Sequence, residues 1–118
     1  QAVSRGLGDV YKRQIQHQVI RHKLANMSSK IDALEALVNN ICWNMNNGEV
    51  PVAEISKAKF FATKELEYCS SEAMQIMGGA GYLRGNPVER IYREVKVMAI
   101  GGGSEEIMRD LAVRQMGY

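Results

Sequence analysis

Apolar side chains first follow a regular pattern between residues 15 and 47, a stretch with no glycine and no proline. They recur at alternating spacings of four and three residues, at Ile20, Leu24, Met27, Ile31, Leu34, Val38, Ile41 and Met45. This spacing places them on one face of a helix. We therefore predict one long helix over residues 15–47, packed along its whole length against other helices and ended by Gly48.

A second stripe predicts another long helix after Pro51, which suits a first helical turn because no backbone N–H is needed there. Its members are apolar or small: Ile55, Ala58, Ala62, Leu66, Cys69, Ala73 and Ile76. The helix should end at Met77, where the glycine-rich residues 78–81 begin. Because the connection between the two long helices is short, we expect them to pack antiparallel.

Two shorter helices are predicted nearer the C-terminus. Asn86 is placed as an N-cap, Pro87 as the first helical residue, and Glu89 as the third, positioned to complete a capping box. Residues 101–103 are all glycine and end this helix, and Ser104 caps the last one. No strand pattern and no repeat is present. The predicted fold is all-α, an antiparallel helical bundle with two long and two short helices.

Composition and spacing exclude several classes of function. Fifteen Lys and Arg residues nearly balance 13 Asp and Glu, so the basic excess typical of nucleic-acid-binding proteins is missing. The mixed charges of residues 88–96 favour a salt-bridged face over an RNA-binding one. Cys42 and Cys69 are too few for a disulfide framework, and His17 and His22 are five residues apart, off the spacing of two metal ligands on one helix face. We expect no metal site, and no apolar run reaches the roughly 18 residues of a membrane span.

Two glycine turns are the strongest candidates for chemistry. Residues 78–81 (the first glycine turn) and 101–103 (the second glycine turn) leave the backbone open to a phosphate or a ring. The second turn leads into a capped helix N-terminus, where free amides and the helix dipole favour an anion or oxyanion. The first turn is also an ordinary helix stop, and the second is explained equally well as a flexible turn. Spacing alone does not decide their role.

Taken together in chain order, these features resemble the C-terminal end of the acyl-CoA dehydrogenases, flavoenzymes that desaturate acyl-CoA thioesters. The matching segments are residues 75–82 (QIMGGAGY), 87–90 (PVER), 92–94 (YRE), 103–107 (GSEEI), 17–18 (HQ) and 24–27 (LANM). The resemblance extends from Ile15 to the C-terminus. It implies that residues 15–118 form that family's C-terminal helical-bundle domain, truncated and without the family's N-terminal helical and middle β domains.

The resemblance also implies roles for individual positions. Positions that bind FAD in the family, partly across a subunit boundary, match Gln18, Gln75, Gly78, Gly79, Ser104 and Glu106. Many members carry the catalytic base, a glutamate, at the position of Gly102, which has no group to accept a proton. Branches that act on long or branched acyl chains place this base on an earlier helix, so we expect no catalytic side chain here; Glu105 is a minor alternative. Gly102 and Gly103 are expected to contact substrate, with the Gly102 amide donating to the thioester oxygen.

Residues 1–14 do not fit this pattern. They have three basic residues, one acidic residue and no helical stripe, and residues 5–14 (RGLGDVYKRQ) resemble translated sequencing-adapter sequence. Leu7 and Val10 stand where the family places an arginine and a phenylalanine that hold FAD. We therefore interpret residues 1–14 as a non-native segment, with a genuine basic arm as the alternative. Without them the chain carries 12 basic and 12 acidic residues, so no anionic partner follows from its charge.

The resemblance implies a parent enzyme that uses FAD to desaturate an acyl-CoA between its α and β carbons. It further implies a homo-oligomer, a dimer of dimers, with electron-transferring flavoprotein as partner. Such an enzyme is cytoplasmic in a prokaryote and lies in the mitochondrial matrix in a eukaryote. We expect the 118-residue chain alone to be inactive. Two alternatives stay open: a non-catalytic helical oligomerisation module, which would not need both glycine turns, and a fragment of a related acyl-CoA oxidase.

Overall fold

A computed structural model of the chain describes residues 16–118. These residues form five helices: α1 (Gln18–Asn46), α2 (Val52–Met77), α3 (Gly79–Tyr82), α4 (Pro87–Ile100) and α5 (Glu105–Gln115). No strand occurs among them, which confirms the all-α fold class. The non-native segment proposed for residues 1–14, with Leu7 and Val10, lies outside the described residues, as does the helix start expected at Ile15.

The two long helices form an antiparallel hairpin, as predicted from their short connection. Two salt bridges between them show this orientation. Lys23 Nζ lies 3.8 Å from Glu72 Oε2, and Lys30 Nζ, further along α1, lies 3.0 Å from Glu65 Oε2, which comes earlier in α2. Gly48, just after α1, has a φ of 85°, the left-handed conformation in which glycine ends helices. The hairpin therefore places the start of α1 beside the end of α2.

The central helix is α2, which contacts each of the other four helices. It begins at Val52, with Pro51 as its N-cap rather than its first residue. Ser56, Thr63 and Ser70 recur every seventh residue along it and are buried, and each donates a hydrogen bond to a carbonyl of its own helix. These bonds satisfy the hydroxyls, and the small side chains let neighbouring helices approach closely. A search for apolar residues misses this buried row because its members are polar.

The apolar stripe of α1 is only partly covered. Ile41 is buried, whereas Ile31, Val38 and Met45 on the same stripe are 49%, 41% and 51% exposed. The prediction that α1 packs along its whole length is therefore wrong for the described residues. The reason is that α4 and α5 pack chiefly on α2, which leaves α2 as the main neighbour of α1.

The helix ends agree with the predicted caps in part. The Oδ1 atom of Asn86 accepts a hydrogen bond from Val88 N at 2.9 Å, which confirms Asn86 as the N-cap of α4. The predicted capping box is wrong, because Glu89 turns instead to Arg93, whose Nε lies 2.6 Å from Glu89 Oε1. The four-residue helix α3 was not predicted; it starts directly after Gly78, whose φ of 64° ends α2.

Candidate functional site

The predicted site residues form two separate groups along α2. The first group is Gln18, Gln75, Gly78 and Gly79, at the C-terminal end of α2. The second group is Gly102, Gly103, Ser104 and Glu106, between α4 and α5, which contacts α2 through Lys59. Lys59 and Gln75 are 16 positions apart in the same helix, a separation of about 24 Å at a rise of about 1.5 Å per residue. Within one chain, therefore, the two groups do not line a single pocket.

The first group exposes its backbone at one end of the hairpin. Gln18 is the first residue of α1 and Gln75 lies in the last turn of α2, so the antiparallel pairing brings both to the same end. All four members of the group are exposed. A Cβ atom built on Gly78 or Gly79 would have no atom of the described residues within 4 Å, so the backbone is open at these two glycines. An anionic group can approach this backbone closely.

The second group consists of two left-handed glycines followed by a helix cap. Gly102 and Gly103 have φ angles of 72° and 115°, a region that favours glycine. Ser104 caps α5 as predicted, with its Oγ accepting a hydrogen bond from Ile107 N at 3.3 Å. Among residues 16–118, the amides of Gly102 and Gly103 have no hydrogen-bond acceptor. They are therefore free to donate to an oxygen of a ligand beside the positive end of the α5 dipole.

Lys59 reaches the second glycine turn from α2. Its Nζ donates hydrogen bonds to the carbonyl oxygens of Met98, at 2.6 Å, and Gly103, at 3.2 Å. Met98 lies in the last turn of α4, where a cation complements the negative end of the helix dipole. Lys59 was not predicted as a site residue; the only signal in the sequence is a lysine next to Ala58 on the small-residue stripe of α2.

Glu105, the minor candidate for a base, is engaged elsewhere. Its Oε2 lies 3.8 Å from Nη2 of Arg109, one helical turn further along α5, and its side chain is only 16% exposed. The Arg109 guanidinium in turn stacks on Phe60 of α2, 5.1 Å from the ring centroid. This chain of contacts holds the Glu105 carboxylate against Arg109, which argues against a role in proton removal. Glu106, by contrast, is exposed.

A polar groove of about 570 Å³ lies between α1, α2 and α4, away from both groups. Its charges are largely paired: Lys30 lies 3.0 Å from Glu65, and Lys96 Nζ lies 3.6 Å from Glu67 Oε1. The close contact with the Glu65 carboxylate raises the pKa of Lys30, which also lies over the Tyr68 ring at 4.7 Å. These pairs account for the groove as a salt-bridged seam between helices, and it contains none of the predicted site residues.

The described residues contain neither a metal-binding cluster nor a membrane-spanning helix. No cluster of three or more His, Cys, Asp or Glu side chains there is placed to hold a metal ion. None of the helices in residues 16–118 is long and apolar enough to cross a membrane. Cys42 is exposed and Cys69 is buried, and burial raises the pKa of the Cys69 thiol.

Comparison with known proteins places the chain in a family. The family model described as "Acyl-CoA dehydrogenase, C-terminal domain" matches residues 5–117. The chain belongs to the acyl-CoA dehydrogenase family. The matched range begins inside residues 1–14, whose interpretation as a non-native segment stays a prediction.

Individual relatives agree with this assignment. The 3-(aryl)acrylate reductase of Clostridium sporogenes is 41% identical over 92 residues, which are 78% of this chain and 24% of that protein. The subunit CarC of the caffeyl-CoA reductase-Etf complex of Acetobacterium woodii is 35% identical over 98 residues, 83% of this chain and 26% of that protein. The chain spans about a quarter of the length of these curated relatives.

The fold is shared with solved members of the family. The crystal structure of a probable acyl-CoA dehydrogenase from Mycobacterium abscessus superimposes with a TM-score of 0.84 at 35% identity, over 98% of this chain and 33% of that one. This similarity confirms the predicted helical domain. The roles of the two glycine turns in cofactor and substrate binding stay predictions.

Proposed function

We propose that this chain is the C-terminal helical domain of an FAD-dependent acyl-CoA dehydrogenase, which desaturates an acyl-CoA thioester between its α and β carbons. The observation that supports this most directly is the second glycine turn. Its two left-handed glycines have amides with no acceptor among the described residues, and they lead into the Ser104-capped N-terminus of α5. A helical module that served only for oligomerisation would have no need of such a turn.

The residues of both groups suit FAD. Gly78 and Gly79 carry no side chain that would block a pyrophosphate, and the Gln75 amide is exposed beside them. The Oγ of Ser104 accepts from Ile107 N, which leaves the hydroxyl hydrogen to donate to the flavin. The bound flavin would accept the hydride that leaves the β carbon. The separation of the two groups along α2 supports cofactor contacts that lie partly across a subunit boundary.

The second glycine turn is assigned to the thioester. An amide at Gly102 that donates to the thioester oxygen would stabilise the negative charge that builds up as the α-proton leaves. Glycine at this position offers no carboxylate, and Glu105 is paired with Arg109. The proposal therefore assigns proton removal to a glutamate on an earlier helix, outside this chain.

The assembly and the partner follow from the same proposal. The exposed stripe of α1, formed by Ile31, Val38 and Met45, provides an apolar face for a homotetramer built as a dimer of dimers. Electron-transferring flavoprotein is the proposed electron acceptor, since one relative is named as a subunit of a complex with Etf. The location would be the cytoplasm of a prokaryote or the mitochondrial matrix of a eukaryote.

The whole coding sequence, recovered upstream of this chain, provides the test. The purified protein should be yellow and should oxidise acyl-CoA with electron-transferring flavoprotein as acceptor. Ser104→Gly should weaken FAD binding by about tenfold with little loss of the helix cap, because glycine caps nearly as well as serine. Ser71→Ala, at an exposed position within α2, is the control for a serine lost elsewhere. A colourless protein that oxidises no acyl-CoA would contradict the proposal.

The remaining alternatives give different results in the same experiments. An acyl-CoA oxidase would reduce oxygen to hydrogen peroxide without electron-transferring flavoprotein. The 118-residue chain by itself should associate with itself and retain no flavin. A monomeric chain saturated with FAD would contradict the proposal that the site needs further domains.

A further inference from the structure

The second glycine turn has few contacts of its own to fix its conformation. Gly101 N donates to the Val97 carbonyl at 2.7 Å, and Met108 N donates to the Ser104 carbonyl at 2.9 Å. Within residues 16–118, however, the amides of Gly102 and Gly103 have no acceptor. Glycine adopts left-handed and right-handed conformations at similar cost. Some other contact must therefore select the orientation in which the Gly102 amide points.

We propose that Lys59 is a positioning residue that fixes the second glycine turn; its consequence for catalysis rests on the function proposed above. One ammonium group binds the Met98 carbonyl on α4 and the Gly103 carbonyl in the turn, 2.6 Å and 3.2 Å away. Lys59 thereby connects the residues that flank 99–102 to the central helix α2. A charged donor makes the stronger class of hydrogen bond.

Two further contacts lie in the same region. Met108 packs against Gly103 so closely that a Cβ atom on Gly103 would collide with its terminal methyl group. Arg109 stacks on Phe60, the residue next to Lys59 on α2. Lys59 is the only one of these groups whose polar atoms bind the turn itself. Its loss should therefore release the turn while α5 stays docked.

The positive charge has a second effect at the same place. By binding the Gly103 carbonyl, Lys59 polarises the peptide group that contains the amide of Ser104. Gly103 directly follows Gly102, whose amide is proposed to bind the thioester oxygen. A fixed cation here favours the charge that develops on that oxygen, so its removal should slow the reaction more than it weakens substrate binding.

Amide hydrogen exchange on the 118-residue chain tests the positioning role without any assay of activity. Lys59→Met keeps the aliphatic stem and removes the ammonium. We expect exchange at the flanking amides of Gly101 and Met108 to accelerate by about tenfold or more, while exchange at Ile41 on α1 stays within about twofold. Lys64→Met, on the same helix at an exposed position, is the matched control and should change neither. Lys59→Arg should restore most of the protection.

Two results would overturn the role. In the first, hydrogen exchange at the amides of Gly101 and Met108 accelerates no more in Lys59→Met than in Lys64→Met. In the second, Lys59→Met accelerates exchange at Ile41 as much as in the turn, or prevents folding, which would make Lys59 a general stability contact. In the full-length protein we expect kcat to fall by about tenfold with KM changed by about twofold or less. If the unsubstituted full-length protein oxidises no acyl-CoA, the proposed function fails while the exchange result still decides the role of Lys59.

Discussion

Asn86 joins α3 to α4 through both ends of its side-chain amide. Its Nδ2 donates to the Ala80 carbonyl at 3.1 Å, and its Oδ1 accepts from Val88 N at 2.9 Å. Because Asn86 is only 8% exposed, water cannot easily replace either partner. This side chain sets the direction in which the backbone leaves the first glycine turn.

Separate substitutions distinguish the two bonds of Asn86. Asn86→Ala should lower the free energy of unfolding by about 2 kcal/mol, since it removes the helix cap and leaves the Ala80 carbonyl without its donor. Asn86→Ser keeps a capping oxygen but is too short to reach Ala80, so it should cost about half as much. Urea unfolding of the chain measures both. Asn40→Ala, at an exposed position on α1, is the control, and an equal effect there would show that the Asn86 bonds contribute nothing.

Substitutions at Gly79 and Gly81 in the first glycine turn should have different effects on stability. A Cβ atom at Gly81 would lie 3.0 Å from the Met74 carbonyl oxygen and 3.1 Å from Met74 Cα, whereas one at Gly79 would touch nothing. Gly81→Ala should therefore destabilise the chain by about 1–3 kcal/mol, because backbone atoms cannot give way cheaply. Gly79→Ala should leave stability within about 1 kcal/mol in thermal unfolding. Loss of stability in Gly79→Ala, or its absence in Gly81→Ala, would contradict this account of the turn.

The Gly79→Ala variant also tests the proposed role of this glycine in cofactor binding. In the full-length protein, Gly79→Ala should reduce the affinity for FAD even though the fold is intact, because the new methyl group projects into the space proposed for the pyrophosphate. Flavin release during dialysis measures this directly. Unchanged retention would remove Gly79 from the proposed site.

Much of the fold follows from the sequence because helix formation depends on local spacing. The stripes around Ile41 and Cys69 identify the two long helices, and Asn86 and Ser104 mark two helix starts correctly. Spacing says which face of a helix is apolar but not what covers it. For that reason Val38 was predicted to be packed and is 41% exposed. The helix α3 is too short to show a period.

The candidate site depends more on contacts that are distant in sequence. The glycines of the second turn could be singled out from composition, since consecutive glycines before a capping serine are a local signal. The role of Lys59 could not be predicted in this way, because the Met98 and Gly103 carbonyls that it binds are 39 and 44 residues away. The capping box failed for a different, local reason: Glu89 has a guanidinium available one turn ahead, at Arg93.

The two cysteines should differ sharply in reactivity. Cys42 is exposed, whereas Cys69 is buried, with its Sγ 4.0 Å from the Met27 carbonyl and its thiol pKa raised by desolvation. A thiol-disulfide reagent should label Cys42 at once. It should label Cys69 about 100-fold or more slowly, because that reaction requires the structure to open. Cys42→Ser should abolish the fast phase. If both cysteines are labelled in a single fast phase, the burial of Cys69 is contradicted.

Alkaline pH should also weaken the fold through Cys69. The folded state raises the pKa of this thiol above its ordinary value of 9.0, so folding favours the protonated form. Its contribution to the unfolding free energy is fully present below pH 9.0 and is lost as pH rises through the folded pKa. In urea titrations at increasing pH, Cys69→Ala should lose less stability on the alkaline side than the unsubstituted chain. An identical alkaline decline in both would show that Cys69 does not contribute.

The exposed stripe on α1 should mediate self-association. Val38 lies on this stripe and is 41% exposed, so a charge there would be buried without a partner in any complex formed through this face. Val38→Lys should weaken association by at least about tenfold with only a small change in the stability of the chain. Asn39→Lys adds the same charge one residue away, off the stripe, and should leave association intact. Sedimentation velocity over a range of concentrations measures both variants. Equal effects would attribute the change to net charge alone and exclude this face of α1 as the interface.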